Sequence, residues 1–427
     1  MTEAIDDNTA RPTWVEFRWY VGGHAFYFLA MGIQNVIYPY LVTFVLLLPA
    51  DLVGVAQMFT MLPMFGLVLF GGLTADRAEL RMHLIRLQFL AALPMLMLAV
   101  LIMAQLLTFP LMMLCSIATG CVSAFVMPAR DSLLSRVAYR SPNGDIQQAV
   151  TIITAIQFGA QLVGIIIGST APRYGTGLIA LSVVFCYLLA AFCTTNLRPA
   201  PPSVRERSQR LEAVSQPGWR KNIRDIQEGI SIVWNSKRML PVVLQIFFGG
   251  LFLMGVFSVH LQLLIRDTYE RGIGDYSAIM MAFMIGITST TTILSGVARR
   301  IVHQGRLMML SFGSGVFVMA VIYFEPPFWF LYVLLFFWGS TSGISMSISR
   351  SIIQEAANDS HRARIMSVFQ LGFLGGAPIG SLLMGLATKS LGPINAALVP
   401  LFGIGAVWLL LFFLTDLWQL RRIPRAA

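Results

Sequence analysis

The stretch GGLTADRAELR, residues Gly71 to Arg81, decides the fold, because it places charged residues in a short gap between two long apolar runs. Charged side chains are expensive to remove from water. A membrane chain keeps them in so tight a turn mainly where they brace the helix ends that the turn joins. Asp76 and Arg77 therefore mark a connection between two membrane-spanning helices.

The composition is that of a membrane protein: 56% of the 427 residues are hydrophobic, 12% are charged, and the mean hydropathy is +0.73. Runs of about 20 apolar residues are long enough to cross a hydrocarbon core as helices. Such runs are too long and continuous for the alternating strands of a membrane barrel. We therefore expect an all-α fold with twelve spans, at 18–46, 52–72, 84–107, 110–130, 146–171, 176–196, 239–265, 276–298, 307–324, 327–350, 364–388 and 394–416.

Basic residues in the connections set the orientation, because loops rich in Lys and Arg stay in the cytoplasm. In the twelve-span scheme four of the 30 Lys and Arg residues fall outside, and the other 26 fall inside or at the inner membrane edge. The outer four are Arg173, Arg266, Arg271 and Lys389. We expect a multi-pass protein of a bacterial inner membrane with both termini in the cytoplasm.

Other global features exclude several classes of function. The net charge of +10 follows from the orientation rule, so it does not indicate nucleic-acid binding. Residues 1–12 lack the basic region and cleavage site of a signal peptide, so we expect no processing there. The four cysteines lie inside apolar runs without metal-ligand spacing, which favours packing roles. No metal and no cofactor is expected.

The longest polar interval, from Leu197 to Arg238, divides the chain. We expect an N-terminal six-helix bundle at 1–197, a cytoplasmic linker at 198–238 and a C-terminal six-helix bundle at 239–427. Apolar residues in the linker recur at helical spacing opposite basic ones, which predicts an amphipathic helix on the inner leaflet; a partner-binding helix is the alternative. The apolar positions are Trp219, Ile223, Ile226, Ile230, Val233 and Trp234.

The two halves resemble each other. The segment ARDSLL, from Ala129 to Leu134, matches SRSIIQ, from Ser349 to Gln354, at an offset of 220 residues. The first-half loop has only a weak counterpart, in which Arg299 stands in register with the acidic residue. Six spans followed by six in parallel repetition indicate two bundles that rock against each other.

With these features the chain resembles the major facilitator superfamily over essentially its whole length. Gly72, Asp76, Arg77 and Arg81 match the family loop, whereas Glu79 and Leu80 stand where the family prefers Gly and a basic residue. The phrases MPARDSLLSRV and RSIIQEAANDSHRARIMSVFQLGFLGGAPIGSLLMG look like the branch that contains enterobactin exporters and macrolide efflux proteins. The resemblance implies a proton-driven exporter, although the antiporter pattern in span five has Ile165 where Pro is expected.

A gate is the first site hypothesis. Asp76 and Arg77 at the inner end of span two are placed to bridge to Arg130 and Asp131 at the inner end of span four, and the resemblance implies that such a cluster closes the cytoplasmic mouth. The alternative is solvated loop charge that contributes less than about 1 kcal/mol. The predicted gate residues are Gly72, Asp76, Arg77, Arg81, Arg130 and Asp131.

Proton coupling needs a titratable group that is reached from both sides. Every acidic residue falls in a loop or near a span end, so His24 and His260, on corresponding spans of the two halves, are the candidates within the membrane. Each has a packing role as an equal alternative. Asp131 and Glu355 are the reserve candidates.

The substrate is expected to contact polar residues near the middle of the membrane. Uncharged amides and hydroxyls among many Met and Phe residues favour an amphiphilic or aromatic compound, since no buried Arg or Asp is expected to pair a strongly charged one. Hydrogen bonding between helices is the alternative role. The candidates are Gln34, Asn35, Tyr38, Gln157, Gln161, Gln245, Thr291, Trp338 and Gln370.

The sequence therefore predicts a monomeric secondary transporter that uses protons and exports a small amphiphilic compound, drug-like or siderophore-like, among membrane lipids. An uptake carrier and a lysophospholipid flippase are alternatives on the same fold. An enzyme is not expected, because the five histidines form no HExxH motif and no phosphate-binding loop with Lys is present.

Overall fold

A computed structural model describes residues 13–139, 146–200, 218–297, 301–357 and 362–421. The first half contains six long helices: α1 (Thr13–Tyr40), α2 (Ala50–Arg77), α3 (Leu80–Met103), α4 (Phe109–Tyr139), α5 (Ile146–Ser169) and α6 (Thr176–Thr195). Helix α7 (Gly218–Trp234) lies in the linker. The second half contains α8 (Met239–Thr268), α9 (Ile273–Val297), α10 (Gln304–Tyr323), α11 (Phe328–Ala356), α12 (Arg362–Asn395) and α13 (Leu398–Leu414).

Eleven of these helices are long and apolar enough to cross a membrane, judged over the described residues by length and composition. The twelfth expected span, α13, has 17 residues and a length of about 25 Å, near the lower limit for crossing. No strand occurs in the described part of the chain. The prediction of an all-α membrane fold is confirmed, and the count of twelve is consistent with it.

Close glycine contacts repeat in the two halves. Gly32 of α1 lies against the backbone of Gln161 on α5, and Gly164 lies against Leu29. In the second half Gly250 of α8 lies against Phe373 of α12, and Gly380 lies against Leu251. Because α1 and α8 are the first spans of their halves and α5 and α12 the fifth, the same helix pair is in backbone contact in each. Gly168 and Gly376 make similar close contacts on the same helices, so small residues permit this packing in both halves.

A second pair of helices shows the same correspondence. Gly71 of α2 lies against the carbonyl of Ala124 on α4, while Gly339 of α11 lies against Phe283 of α9. Most other contacts of α1–α6 are with one another, and the same holds for α8–α13. The internal repeat seen in the sequence therefore extends to the packing of the helices.

Two corresponding spans contain π-helical turns. Helix α1 continues into a π-helical turn at Leu41–Val45. Helix α8 contains three, at Gly250–Met254, Val256–His260 and Leu264–Thr268. π-helical turns are rare and are found frequently at functional sites. We call the face where α1 begins and α13 ends the terminal face, and the other the opposite face; the turns at Leu41–Val45 and Leu264–Thr268 lie at the opposite face.

The turn within GGLTADRAELR, at Ala78 and Glu79, is built differently from the family pattern. Glu79 caps α3 by accepting hydrogen bonds from the backbone amides of Arg81, at 3.1 Å, and Met82, at 2.7 Å. Ala78 and Glu79 have φ of −90° and −71°, so no glycine is required in this turn.

The start of the linker is attached to the first half. The amide of Ala200 donates to Glu79, the Arg136 guanidinium donates to the Ala200 carbonyl, and the amide of Arg198 donates to Glu16. These bonds tie α1, α3 and α4 together at the terminal face. Residues 198–200 therefore pack with the first half.

Helix α7 packs against α12 and reaches α2. Val233 is buried, whereas Ile230 and Trp234 are 47% and 67% exposed. The side chains of the other predicted apolar positions, Trp219, Ile223 and Ile226, lie outside the described part of the chain. Two exposed apolar side chains one helical turn apart suit a position at a lipid headgroup layer.

Two expectations from the sequence are corrected. Span four was expected to end at residue 130, but α4 continues to Tyr139. Arg130 therefore lies more than two turns inside a helix and is 2% exposed, which contradicts the expectation that no buried Arg is present. The physical reason is that a hydropathy profile ends a span at its first charges, whereas the helix continues because its backbone groups still bond one another.

Candidate transport pathway

The two halves meet most closely at the opposite face, along α2 and α12. A Cβ atom built on Gly54 would lie 2.8 Å from the Cα of Gly385 and 2.8 Å from the carbonyl oxygen of Ser381. One turn further out, Lys389 Nζ lies 2.7 Å from Asp51 Oδ2. Backbone contact and an ion pair thus close this end of the boundary between the halves.

The π-helical turns of α1 and α8 contact each other at the same face. Thr43 Oγ1 donates to Gln262 Oε1 at 2.8 Å. Arg266 Nη1 donates to the carbonyl oxygens of Thr43, at 2.9 Å, and Leu48, at 3.1 Å. Because α-helical hydrogen bonding stops near Tyr40, Arg266 supplies donors to carbonyl groups at the end of the first span. These contacts add a second seal between the halves.

At the terminal face, Asp131 of α4 and Arg350 of α11 are both exposed, and their charges interact across the halves. Helices α4 and α11 are the fourth spans of their halves. Arg350 therefore attracts Asp131 from the corresponding helix of the other half, and the adjacent Arg130 attracts Asp131 as well. In the described part of the chain, the close backbone contacts between the halves lie toward the opposite face instead.

The predicted gate residues occupy different surroundings. Gly72 lies on α2 with open space around it. The side chains of Asp76 and Arg77 lie outside the described part of the chain. Arg81 donates to the carbonyl of Thr195 at 2.7 Å, where α6 ends, so its charge also complements the helix dipole.

Arg130 extends from α4 toward α1. Its Nη2 atom donates to the carbonyl of Gly23 at 3.0 Å, and its guanidinium carbon lies 4.3 Å from the centre of the Tyr27 ring. Tyr20 donates its hydroxyl to the Arg130 carbonyl. A buried cation thus lies between the first and fourth spans of the N-terminal half.

The two histidine candidates differ in their hydrogen bonding. His24 is 4% exposed and stacks near Phe28, with 4.6 Å between ring centres, and neither ring nitrogen has a partner among the described residues. His260 is fully buried, and its Nε2 lies 2.6 Å from the carbonyl oxygen of Pro393 on α12. His260 therefore joins two helices of the second half, whereas His24 holds unused ring nitrogens.

Glu355 is held in a polar cluster at the terminal face. Its carboxylate accepts from Gln304 at 3.3 Å and from Ser351 at 3.0 Å. Burial lowers the pKa of Arg238 from its usual value, and the negative charge of Glu355 opposes that shift. The carboxylate of Glu355 therefore acts as a counter-charge to Arg238.

Five of the predicted cavity residues are buried, and four of these have identified contacts. Tyr187 donates to Gln34 at 3.0 Å, and Gln245 donates to the Met308 carbonyl at 3.2 Å. Tyr38 bonds Thr119, and Trp338 packs against Phe283. These four contacts support the alternative of hydrogen bonding and packing between helices. The backbone of the fifth, Gln161, packs against Gly32 of α1.

The other four candidates have accessible side chains. Asn35, Gln157 and Thr291 are partly exposed, and Gln370 is exposed. They lie on α1, α5, α9 and α12, so each half contributes two. The three amides keep polar atoms available to a bound compound, whereas the Thr291 hydroxyl donates to carbonyls of its own helix and is left only as an acceptor.

Several residues of the opposite-face contact are not predicted from the sequence. Arg266 and Lys389 indicate only the orientation of the chain, and no local sequence pattern indicates Thr43, Gln262 or Asp51. A signal existed, since Asp51 and Lys389 are opposite charges at the outer ends of spans two and eleven. Their sequence separation of 338 residues hides the pairing.

A family model described as the Major Facilitator Superfamily matches residues 21–358 and 275–426. The chain belongs to this superfamily. Its members are membrane transporters, so secondary transport is the class of function that the fold supports. No metal-binding group of His, Cys, Asp or Glu is found in the residues searched, which are those that the structure describes.

Solved structures of the superfamily share the fold at low sequence identity. The nucleoside transporter NupG is 15% identical, with a TM-score of 0.71, covering 95% of this chain and 99% of its own. A D-xylose-proton symporter is 12% identical, with a TM-score of 0.68 and coverages of 94% and 97%. A POT family transporter in complex with 5-aminolevulinic acid is 11% identical, with a TM-score of 0.67 and coverages of 96% and 97%. No curated protein matches the chain.

Proposed function

We propose that this superfamily member is a proton-coupled exporter of a small amphiphilic organic compound, acting as a monomer in a bacterial inner membrane with both termini cytoplasmic. The observation that carries the proposal is the seal at the opposite face, where Gly54 meets Gly385 and Asp51 meets Lys389. A boundary that is tight at one end suits a transporter resting with its cytoplasmic side accessible. In this proposal the bundles are 1–197 and 239–427, joined by the linker 198–238.

Alternating access requires the seal to break at one face while a contact forms at the other. Separation at the opposite face breaks the bonds of Arg266 with Thr43 and Leu48. Approach at the terminal face strengthens the attraction between Asp131 and Arg350. In this scheme Asp131 is the gate residue that acts between the halves, while Gly72, Asp76, Arg77, Arg81 and Arg130 organise the terminal end of the first half.

His24 is the proposed coupling residue, ahead of His260 and Glu355. A coupling group must gain and lose a proton during the cycle, so it needs a ring nitrogen or carboxylate that is not committed to a structural bond. The Nε2 atom of His260 is bonded to Pro393, which leaves only Nδ1, and one carboxylate oxygen of Glu355 accepts from both Gln304 and Ser351. His24 has two nitrogens without a partner among the described residues.

Asn35, Gln157, Thr291 and Gln370 are the proposed substrate contacts, because they remain accessible on both halves. Uncharged amides and hydroxyls fix the orientation of a ligand, and the surrounding apolar side chains supply most of the contact. Export rests on the resemblance to enterobactin exporters and macrolide efflux proteins. Amphiphilic substrates are consistent with a site made of these four polar side chains and the apolar residues around them.

Transport direction is tested in inverted membrane vesicles that hold the protein at a known density. When the vesicle interior is more acidic than the exterior, an exporter accumulates an amphiphilic fluorescent compound inside the vesicles, and collapse of the gradient releases it. His24→Asn should abolish the response to the gradient, whereas His260→Asn should keep it in the fraction of protein that folds. Gradient-independent movement in the wild type would contradict proton coupling.

An uptake carrier is the second candidate, and the fold shared with a D-xylose-proton symporter favours testing it. Right-side-out vesicles that are acidic outside and alkaline inside would then accumulate the compound only if the protein imports it together with protons. A lysophospholipid flippase is the third possibility on this fold. Transfer of a fluorescent lysophospholipid between leaflets, without movement of the soluble compound, would replace the exporter proposal.

A further inference from the structure

The guanidinium of Arg130 is buried between α1 and α4 inside the first half. We propose that Arg130 and His24 form a binding site for the anionic group of the substrate, and specifically for the carboxylate of an aromatic acid. This inference rests on the proposed transport function and adds a substrate class to it.

The first argument is the incomplete compensation of the buried charge. Arg130 is 2% exposed, and an isolated cation in a membrane interior is strongly unfavourable. Its contacts among the described residues are the neutral carbonyl of Gly23 and the ring of Tyr27. Asp131, the adjacent residue, attracts Arg130, but it is exposed and Arg350 attracts it as well, so it compensates the buried charge only in part. An anion from outside the protein would complete the charge pair.

The second argument is the set of unused polar atoms. Arg130 Nε and both ring nitrogens of His24 are buried without a hydrogen-bond partner in the described part of the chain. Buried polar groups in folded proteins nearly always have a partner, because an unsatisfied donor is costly. His24 and Gly23, the carbonyl partner of Arg130, are consecutive on α1. The unused atoms therefore lie between α1 and α4.

The third argument concerns the size and character of the ligand. Tyr20, Tyr27 and Phe28 surround the two polar groups, with ring centres of His24 and Tyr20 separated by 5.9 Å. Aromatic walls favour a flat apolar body, while a guanidinium binds a carboxylate through two parallel hydrogen bonds.

The site is tested by binding to the purified full-length protein in detergent, with benzoate as the probe and benzamide as its uncharged counterpart. Thermal unfolding is followed by tryptophan fluorescence during titration. We expect benzoate to raise the unfolding temperature in a saturable manner and benzamide to have no effect. Arg130→Gln should weaken the apparent affinity for benzoate at least about tenfold, because the charge-assisted bonds are lost.

His24→Asn should weaken benzoate binding by a smaller factor, and Arg86→Gln, at an exposed position on α3, should leave it unchanged. If Arg130→Gln fails to fold, Arg130→Lys serves instead, because it keeps the charge and loses the paired donors; weakened binding is expected there too. Equal effects of benzoate and benzamide, or wild-type benzoate affinity in the Arg130 variant that folds, would overturn the site. Binding needs no gradient, so this outcome leaves the export proposal standing, and failure of export leaves the binding result intact.

Discussion

Lys389 Nζ lies 2.7 Å from Asp51 Oδ2, and the pair joins α12 of the second half to α2 of the first. The side chains are 59% and 23% exposed, so solvent screens the attraction, and the pair contributes less than about 1 kcal/mol to closure. The pair therefore adjusts the population of the closed face and does not lock it.

Removing this pair should open the opposite face modestly. Asp51→Asn or Lys389→Gln should raise the labelling rate of Ser381→Cys, a buried position beside the seal, by about two- to fivefold. The reagent is a membrane-impermeant thiol reagent, applied to a chain without its native cysteines. The double variant should match the single variants, and the exchanged pair, Asp51→Lys with Lys389→Asp, should recover slow labelling. Fully additive effects would show that the two residues act independently.

A side chain at Gly54 should prevent closure altogether. Gly54→Val places atoms where the backbone of Gly385 now lies, and backbone cannot yield as a flexible side chain can. We expect labelling of Ser381→Cys to rise at least about tenfold and transport to be lost, because one of the two alternating states is blocked. Gly66→Val is the matched control on the same helix, since nothing lies within 4 Å of a Cβ there. Slow labelling in Gly54→Val would contradict a backbone seal.

Arg266 is expected to matter through its geometry as well as its charge. Arg266→Lys keeps the charge but is not expected to reach the carbonyls of Thr43 and Leu48 together, because an ammonium lacks the planar fork. It should therefore destabilise the closed face nearly as much as Arg266→Gln, with faster labelling of Ser381→Cys in both. Arg271→Lys, at an exposed position a short distance along the chain, should have no effect. Wild-type behaviour of Arg266→Lys would mean that charge alone suffices.

Glu79 should contribute to stability although it departs from the family pattern. Glu79→Ala removes the cap of α3, worth about 1 kcal/mol, and the bond to the Ala200 amide. We expect a lower unfolding temperature and faster hydrogen exchange at Ala200. Glu79→Gln keeps an acceptor oxygen and should lie between alanine and wild type. Unchanged exchange in Glu79→Ala would show that residues 198–200 are held by other contacts.

The two membrane histidines should respond oppositely to replacement by leucine. His260→Leu leaves the partly buried Pro393 carbonyl without its partner, a loss of about 1–3 kcal/mol, so the unfolding temperature should fall. His24→Leu removes no hydrogen bond within the described structure and should leave the unfolding temperature at or above the wild-type value while it impairs coupled transport. Thermal unfolding and vesicle transport on the same preparations measure both effects. A large destabilisation by His24→Leu would assign it a packing role.

The spans and their repeat could be predicted because a lipid environment makes them local properties of the chain. Length and hydropathy are enough to place α3 or α6 within a few residues. The end of α4 could not be placed in this way, because Arg130 and Asp131 interrupt the apolar run while the helix continues to Tyr139. Charge within a helix is tolerated where other helices cover it, and that covering is a tertiary property.

The sites were less predictable than the fold for the same reason. Polarity identified Gln34 and Gln157 equally, yet Gln34 bonds Tyr187 while Gln157 remains accessible. Whether an amide faces a neighbouring helix or an open boundary depends on how the helices are rotated. Likewise the bond between Thr43 and Gln262 joins residues 219 positions apart, and no local pattern reports it.

Arg130 and Arg350 occupy matching positions in the two copies of the repeat, yet one is 2% exposed inside the first half and the other is exposed at the surface. A duplicated arginine has thus taken two separate tasks, one as an interior cation and one facing Asp131 across the halves. The two halves of the transporter are therefore not interchangeable, although their helices repeat.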